Sequence, residues 1–257
     1  RKQKGEVTTK LKTRRKKDEY NPKLRDCRYH YNDKPTKDNA AFTQASSIFI
    51  TEGDSASGTF TKVRDANVQA VFSLRGKPIN CFKESAAKVS ANVELSLLIS
   101  ALGVEEDMDN LRYNNIIVAT DADDDGMHIR MLVLTFFLKF YPDLIRGGHV
   151  YILETPLFRV KNKKESIYCF DKEEKEAAIK KLKTGIEITR FKGLGEISDH
   201  EFKDFIGPDM RLNDVQLSQE ESIKDLLSFY MGDNTQDRQD FIRENLRSVE
   251  QMDGIDI

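Results

Sequence analysis

The sequence predicts an α/β fold: a mainly parallel sheet flanked by helices, followed by a mostly helical carboxyl-terminal tail region. Three observations carry that reading. Between 46 and 160, short apolar runs rich in β-branched residues alternate with helical spacings, the pattern of strand–helix–strand units. Two acidic motifs stand directly after two of those runs, at strand carboxyl ends, where open parallel sheets collect ligand chemistry. From Ser198 onward the apolar spacing is mainly helical.

Each element follows from its local pattern. Residues 1–45 show no sustained periodicity, and the stretch NPKLRDCRYHYNDKPTKDN is rich in turn formers, so they read as a basic linker and loop region. SSIFIT (46–51) is an apolar, β-branched strand; EGDSASG breaks it and opens a short helix. QAVFSL (69–74) is a second strand, closed by the RGKP turn. KVSANVELSLLISALG (88–103) has helical spacing and a glycine stop. NNIIVAT (114–120) is a buried strand, and GMHIRMLVLTFFLKFY (126–141) an apolar helix ended by Pro142. HVYILETPLFRV (149–160) and SIYCF (166–170) read as strands, KEEKEAAIKKLK (172–183) as an amphipathic helix, and GIEITRF as a strand. DHEFKDFI, EESIKDLLSFYM and RQDFIRENL have helical spacing. The expected organisation is a linker at 1–45, an α/β domain at 46–160, and a tail region at 161–257 with β segments and then helices.

Composition narrows the class. The 257 residues are 39% hydrophobic, enough to bury one large core or two modest ones. The longest apolar run, MLVLTFFL (131–138), is far shorter than a membrane helix requires, and no secretory leader is visible. Cys27, Cys81 and Cys169 are odd in number and lack CxxC spacing, which argues against a disulfide framework or a zinc site. The expectation is a cytoplasmic protein with reduced thiols and no membrane contact. The net charge is −2, yet residues 1–25 hold 11 Lys and Arg against 3 Asp and Glu. The abrupt basic start reads as a piece of a longer protein, and as either a nucleic-acid arm or a solvated linker.

The acidic stretch IIVATDADDDGMHI (116–129) places Asp121, Asp123, Asp124 and Asp125 within five positions. A calcium loop would need a bidentate Glu at position 12, where Leu132 stands, and a helix before the loop, where the pattern is β-like. A haloacid-dehalogenase-type phosphotransferase also sets D-x-D after a strand, but the Thr or Val usual two positions beyond the second Asp is here Asp125. A magnesium site fits: Mg²⁺ takes a few carboxylates plus water and phosphate oxygens. Asp121 and Asp123 alternate by two, and Glu52, after another strand, can supply a third side if the two strands are neighbours. A plain solvated acidic turn stays open on this motif alone.

EGDSASG (52–58) together with TDADDDGMHI (120–129) is far more specific than either alone. Glu after one strand, then D-x-D-x-D-G-x-H-I about seventy residues later, resembles the Toprim domain, a Rossmann-like fold, of type IIA topoisomerases. SLRGKPIN, TPLFRV, RFKGLGEIS and FIGPDMR are similar to the carboxyl-terminal half of that family's gyrase B and topoisomerase IV B subunits. The resemblance spans about 24 to 247. Two positions depart from it: Ser57, where the family more often has Gly, and Asp124, commonly apolar in the family.

By position, the resemblance implies roles. Glu52 is a metal ligand and the general acid–base for the leaving 3′ oxygen; Asp121 lies between two metal positions; Asp123 binds the second; Asp125 is an outer or occasional ligand. Arg75, Lys77, Pro78 and Lys192 contact DNA, and Asp54 and Arg75 lie near the quinolone drug site. The implied cofactor is Mg²⁺ at a two-metal site, with Mn²⁺ or Ca²⁺ able to substitute in binding; ATP belongs only to an amino-terminal domain outside this chain. The implied partners are double-stranded DNA and a topoisomerase A subunit in an A₂B₂ heterotetramer. Residues alone agree in part: Lys192 in FKGLGE can neutralise a phosphate, and its glycines permit close backbone approach. Arg75 and Lys77 flank Gly76 in what is otherwise an ordinary hairpin turn.

The nucleophile is missing. In the resembling family the attacking tyrosine lies on the A subunit, and none of the eight tyrosines here has a nucleophile setting; Tyr151 and Tyr168 read as packing. Ser55 lacks an obvious His base and reads as a helix cap. His128 stands between a supporting role beside the ligands and an ordinary helix-start histidine. No P-loop or nucleotide lid is present. The expected function is the magnesium-binding half of the cleavage site of an ATP-dependent type II topoisomerase, inactive alone. The rival readings are a stand-alone Toprim primase or nuclease and a non-catalytic DNA-binding scaffold.

Overall fold

The structure is a computed structural model that describes residues 21–105, 107–217 and 220–241. Its strands are β1 (Leu24–Arg25), β2 (Ser47–Glu52), β3 (Gln69–Leu74), β4 (Asn115–Ala119), β5 (Val150–Leu153), β6 (Phe158–Lys161), β7 (Ser166–Cys169), β8 (Glu187–Arg190) and β9 (Leu212–Asp214). The main sheet runs β1-β3-β2-β4-β5-β9, and a smaller one runs β7-β6-β8. The four central strands of the main sheet are parallel, with Thr51 opposite Ser73 on one side and Ala119 on the other. The two edge strands are antiparallel. The predicted α/β class with a mainly parallel sheet is therefore what the chain adopts.

Both faces of the sheet are covered, which explains why β2 and β3 read as continuous apolar runs. On β2, Ile48 and Ile50 point to one face and Phe49 to the other. The Ile48 face packs against helices Val93–Leu102 and Asp124–Phe140 through Leu95, Leu98, Ile99, Val133 and Phe137. The Phe49 face packs against helix Gly53–Val63 through Phe60, and against Leu194, Phe202 and Ile206 from the carboxyl-terminal region. The helix after β2 thus lies on one face and the helices after β3 and β4 on the other. This reversal makes the crevice between the carboxyl ends of β2 and β4 the switch point of the sheet.

Several sequence expectations change. Residues 21–45 are more than linker: β1 pairs antiparallel with β3, helix Ala40–Ala45 forms, and Cys27 is buried. A two-residue strand carries no periodicity, so only its partner reveals it. The helix expected at 88–103 is two, Ala86–Ala91 and Val93–Leu102. Asn92 is extended between them, and its side chain accepts from the Leu95 N–H to start the second. The strand expected at 149–160 divides into β5 and β6, which lie in different sheets, around Pro156. The region after 161 does not stand apart, because β9 extends the main sheet beside β5. The helix expected at DHEFKDFI is Asp199–Phe205 and that at EESIKDLLSFYM is Glu220–Met231. Residues 235–241 are helical, and the remainder of RQDFIRENL lies outside the described residues, as does the basic stretch 1–20. Among the described residues, no helix is long and apolar enough to cross a membrane. All three cysteines are free and buried.

Candidate metal centre

Glu52 is the last residue of β2, and Asp121 and Asp123 follow β4, its parallel neighbour. The two acidic motifs therefore meet at the switch point, as adjacency of their strands requires. After Glu52 the chain turns at once into a helix through Gly53, whose φ of +68° favours glycine. After β4 the helix starts at Asp124, two residues earlier than the apolar spacing indicated. Asp123 is its N-cap, with Oδ1 accepting from the Gly126 N–H at 2.8 Å. Asp124 and Asp125 fall in its first turn, where the helix dipole favours negative charge. Exposed Asp124 thus has a reason to be acidic that does not involve a ligand.

Close backbone approach holds the acidic loop. A Cβ on Gly126 would stand 2.2 Å from the Asp121 carbonyl oxygen, and one on Gly193 would stand 2.9 Å from Asp121 Oδ2. The Leu194 N–H donates to Asp121 Oδ1 at 2.8 Å. The Gly193–Leu194 segment is a seat for Asp121 that the sequence reading did not assign; its only sequence signal was the glycine pair in FKGLGE. Lys192 is exposed beside it, and its N–H donates to Glu196 at 2.9 Å.

The electrostatics agree with convergence. Burial pushes the Glu52 carboxyl up, and Asp121, Asp123 and Asp125 push it further, against the single opposing charge of Lys77. Glu52 Oε2 is buried and has no hydrogen-bond partner. Burial also raises Asp121, with Asp123 and Glu196 adding to it against the Leu194 N–H. Asp125 is held low by the Lys77 ammonium, which lies 2.6 Å from Oδ1. An oxygen-rich crevice whose members repel one another, with one buried oxygen unsatisfied, fits a hard divalent cation. Among the described residues, the three ligand-type atoms that lie within 4.8 Å of one another belong to Asp26, Cys27 and His30, toward the opposite end of the sheet. That group is filled by other partners: Tyr113 and Arg112 donate to Asp26. In the crevice, Asp121, Asp123 and Asp125 are each held by a different donor: the Leu194 N–H, the Gly126 N–H and the Lys77 ammonium.

The remaining predicted residues have their own partners. Arg75, Lys77 and Pro78 form the turn after β3; it is not a hairpin, because β3 continues into a crossover toward β4. The Arg75 N–H donates to Glu94 at 3.1 Å. Asp54 accepts from the Ser73 hydroxyl at 2.9 Å, which joins the helix after β2 to β3. Ser55 lies inside that helix, whose N-cap is Glu52, so the cap reading of Ser55 is corrected. His128 is exposed and lines a cavity of about 400 Å³ with Lys83, Met131, Tyr230 and Arg238. The Tyr168 hydroxyl donates to Glu201 and that of Tyr151 to the Gly148 carbonyl, the structural roles their strand positions suggested.

Comparison with known proteins places this geometry. Residues 47–155 match the family described as the Toprim domain. Residues 183–243 match the DNA gyrase B subunit, carboxyl terminus. The chain is 54% identical over 226 residues to the B subunit of DNA topoisomerase 4 from Borreliella burgdorferi, covering 88% of this chain and 37% of that protein. It is 39% identical over 238 residues to the B subunit of DNA gyrase from Mycoplasmoides gallisepticum, covering 90% of this chain and 35% of that one. A crystal structure of the Plasmodium falciparum topoisomerase II DNA-binding, cleavage and re-ligation domain is similar with a TM-score of 0.68 at 26% identity, over 85% of this chain and 30% of that chain. The chain spans little more than a third of the curated relatives it matches.

Proposed function

This chain belongs to the B-subunit family of type IIA DNA topoisomerases, and from that premise we propose that it supplies the metal-binding half of a DNA cleavage and re-ligation site. One observation carries the reading: Glu52 meets Asp121 and Asp123 at the switch point, with an unpartnered buried oxygen and a carboxyl pushed up by burial and then by its acidic neighbours. Glu52, Asp121 and Asp123 would hold Mg²⁺, with Asp125 as an occasional ligand and Mn²⁺ or Ca²⁺ as substitutes in binding. A bound ion would supply Lewis-acid stabilisation of charge on the phosphate and leaving oxygen, worth several kcal/mol in such sites.

The chain's own residues do the rest. A tyrosine from a partner A subunit would attack phosphorus, its phenol proton passing to solvent; the P–O3′ bond would break as the P–O(Tyr) bond forms, and Glu52, as general acid–base, would relay a proton from solvent to the departing 3′ oxygen. Arg75, Lys77 and Lys192 neutralise phosphates of the bound duplex, and Pro78 fixes the turn that carries the first two. ATP would act only in a part of the protein outside this chain. The stand-alone primase or nuclease and the non-catalytic scaffold are not favoured by relatives that are topoisomerase B subunits. The test is cleavage of duplex DNA by this chain with its A subunit and Mg²⁺. Glu52→Ala and Asp121→Ala each abolish it; undiminished cleavage in both would remove the site assignment.

A further inference from the structure

The Lys77 ammonium is bonded to one member of the acidic cluster. Nζ is 2.6 Å from Asp125 Oδ1, and its charge also acts on Glu52 and Asp123. The turn that carries it is fixed: Gly76 adopts φ +71°, and the loop beyond Pro78 is fastened to the helix that carries Asp125. There Lys139 Nζ donates to the carbonyls of Cys81, Phe82 and Glu84 at 2.9, 2.6 and 2.9 Å. Arg75, two residues earlier, meets a carboxylate through its backbone N–H and Glu94, away from the cluster. Among the described residues, the Lys77 ammonium therefore bonds to Asp125 and acts on Glu52 and Asp123.

An oxygen that accepts from an ammonium at this distance cannot present the same lone pairs to a metal ion, and two cations sharing the carboxylates repel each other. We propose that Lys77 is the resident counter-cation of the metal centre, and that a divalent ion displaces its ammonium from Asp125 on binding. The inference rests on the metal-site reading above and assigns Lys77 a role beyond contact with DNA. While the crevice lacks a metal ion, Lys77 offsets the mutual repulsion of the acids. When displaced, the same ammonium becomes available to a phosphate, so that metal loading and DNA contact are linked through one side chain.

The experiment is Mn²⁺ titration of the full chain without DNA, read by calorimetry or by loss of the free-ion resonance signal. Three proteins are compared: wild type, Lys77→Met and Arg75→Met, the last removing a nearby cation that does not touch the carboxylates. Both lysine and arginine are exposed, so the variants fold, which circular dichroism verifies. Lys77→Met binds Mn²⁺ about two- to fivefold tighter than wild type, the upper range for an exposed ion pair, while Arg75→Met changes affinity less than about twofold at near-physiological salt, where exposed charges are screened. Equal tightening in the two variants, or none in Lys77→Met, overturns displacement and leaves the metal site standing. Absence of Mn²⁺ binding in both wild type and Lys77→Met overturns the metal-site reading, and displacement with it.

Discussion

Asp123 carries two tasks that one substitution cannot separate and a pair of substitutions can. Its carboxylate caps the helix Asp124–Phe140 through the Gly126 N–H, and in the proposed site it is also a ligand. Asn caps as well as Asp, whereas Ala does not. Asp123→Asn should keep the metal-free thermal stability of wild type, and Asp123→Ala should lose about 0.5–2 kcal/mol. Both should lose metal-dependent cleavage, because neither has a charged ligand. Calorimetry without metal and a cleavage assay with it make the comparison; a fully active Asp123→Asn would reduce Asp123 to a cap. The acidic run itself was plain in the sequence. The division of labour within it was not, because it depends on where the helix begins, and the apolar spacing that marks the helix starts only after its polar first turn. Asp121 shows the same limit: its seat is Leu194, 73 positions along the chain.

At the level of elements, the helix Asp199–Phe205 is a keystone whose importance its length hides. Ser198 and Glu201 form a capping box at its start, and Phe202 is fully buried with its ring 4.7 Å from that of Phe60. Phe60 in turn stands on the helix that follows Glu52, so this contact packs that helix against the carboxyl-terminal region. Phe202→Ala should cost about 3–5 kcal/mol in urea unfolding; a loss under about 1 kcal/mol would mean that the carboxyl-terminal region does not brace the sheet. The strands β2, β3 and β4 were legible because burial on both faces leaves unbroken apolar runs. The break at Asn92 and the two edge strands were not, since a single capping residue and two- or three-residue strands carry too little pattern to separate from loop.

Across the whole molecule, the small sheet is held to its surroundings by two ion pairs: Arg211, just before β9, with Glu174 on the helix Lys172–Leu182, and Arg159 with Glu201 on the helix Asp199–Phe205. Glu201 accepts from Arg159 of β6 at 2.6 Å and from Tyr168 of β7 at 2.5 Å. Burial pushes this carboxyl up, but the hydrogen bonds from Tyr168, Ser198 and Arg159 outweigh it and hold it at about 2. A carboxyl depressed in the folded state stabilises above its unfolded value near 4.3 and loses that contribution as pH falls toward the folded one. Wild type should therefore lose thermal stability between about pH 4.5 and 2 more steeply than Glu201→Gln; parallel curves would show that the link carries no charge-dependent stability. By itself the sequence determined the α/β class, the parallel strands and the acid types of the site, since these follow from local periodicity and from the oxygen preference of hard cations. Only the tertiary structure decided which acids converge, that Gly193 and Leu194 seat Asp121, and that Lys77 bonds to Asp125. Those last two contacts join residues 73 and 48 positions apart, and their formation depends on strand order and crossover, which no local pattern encodes.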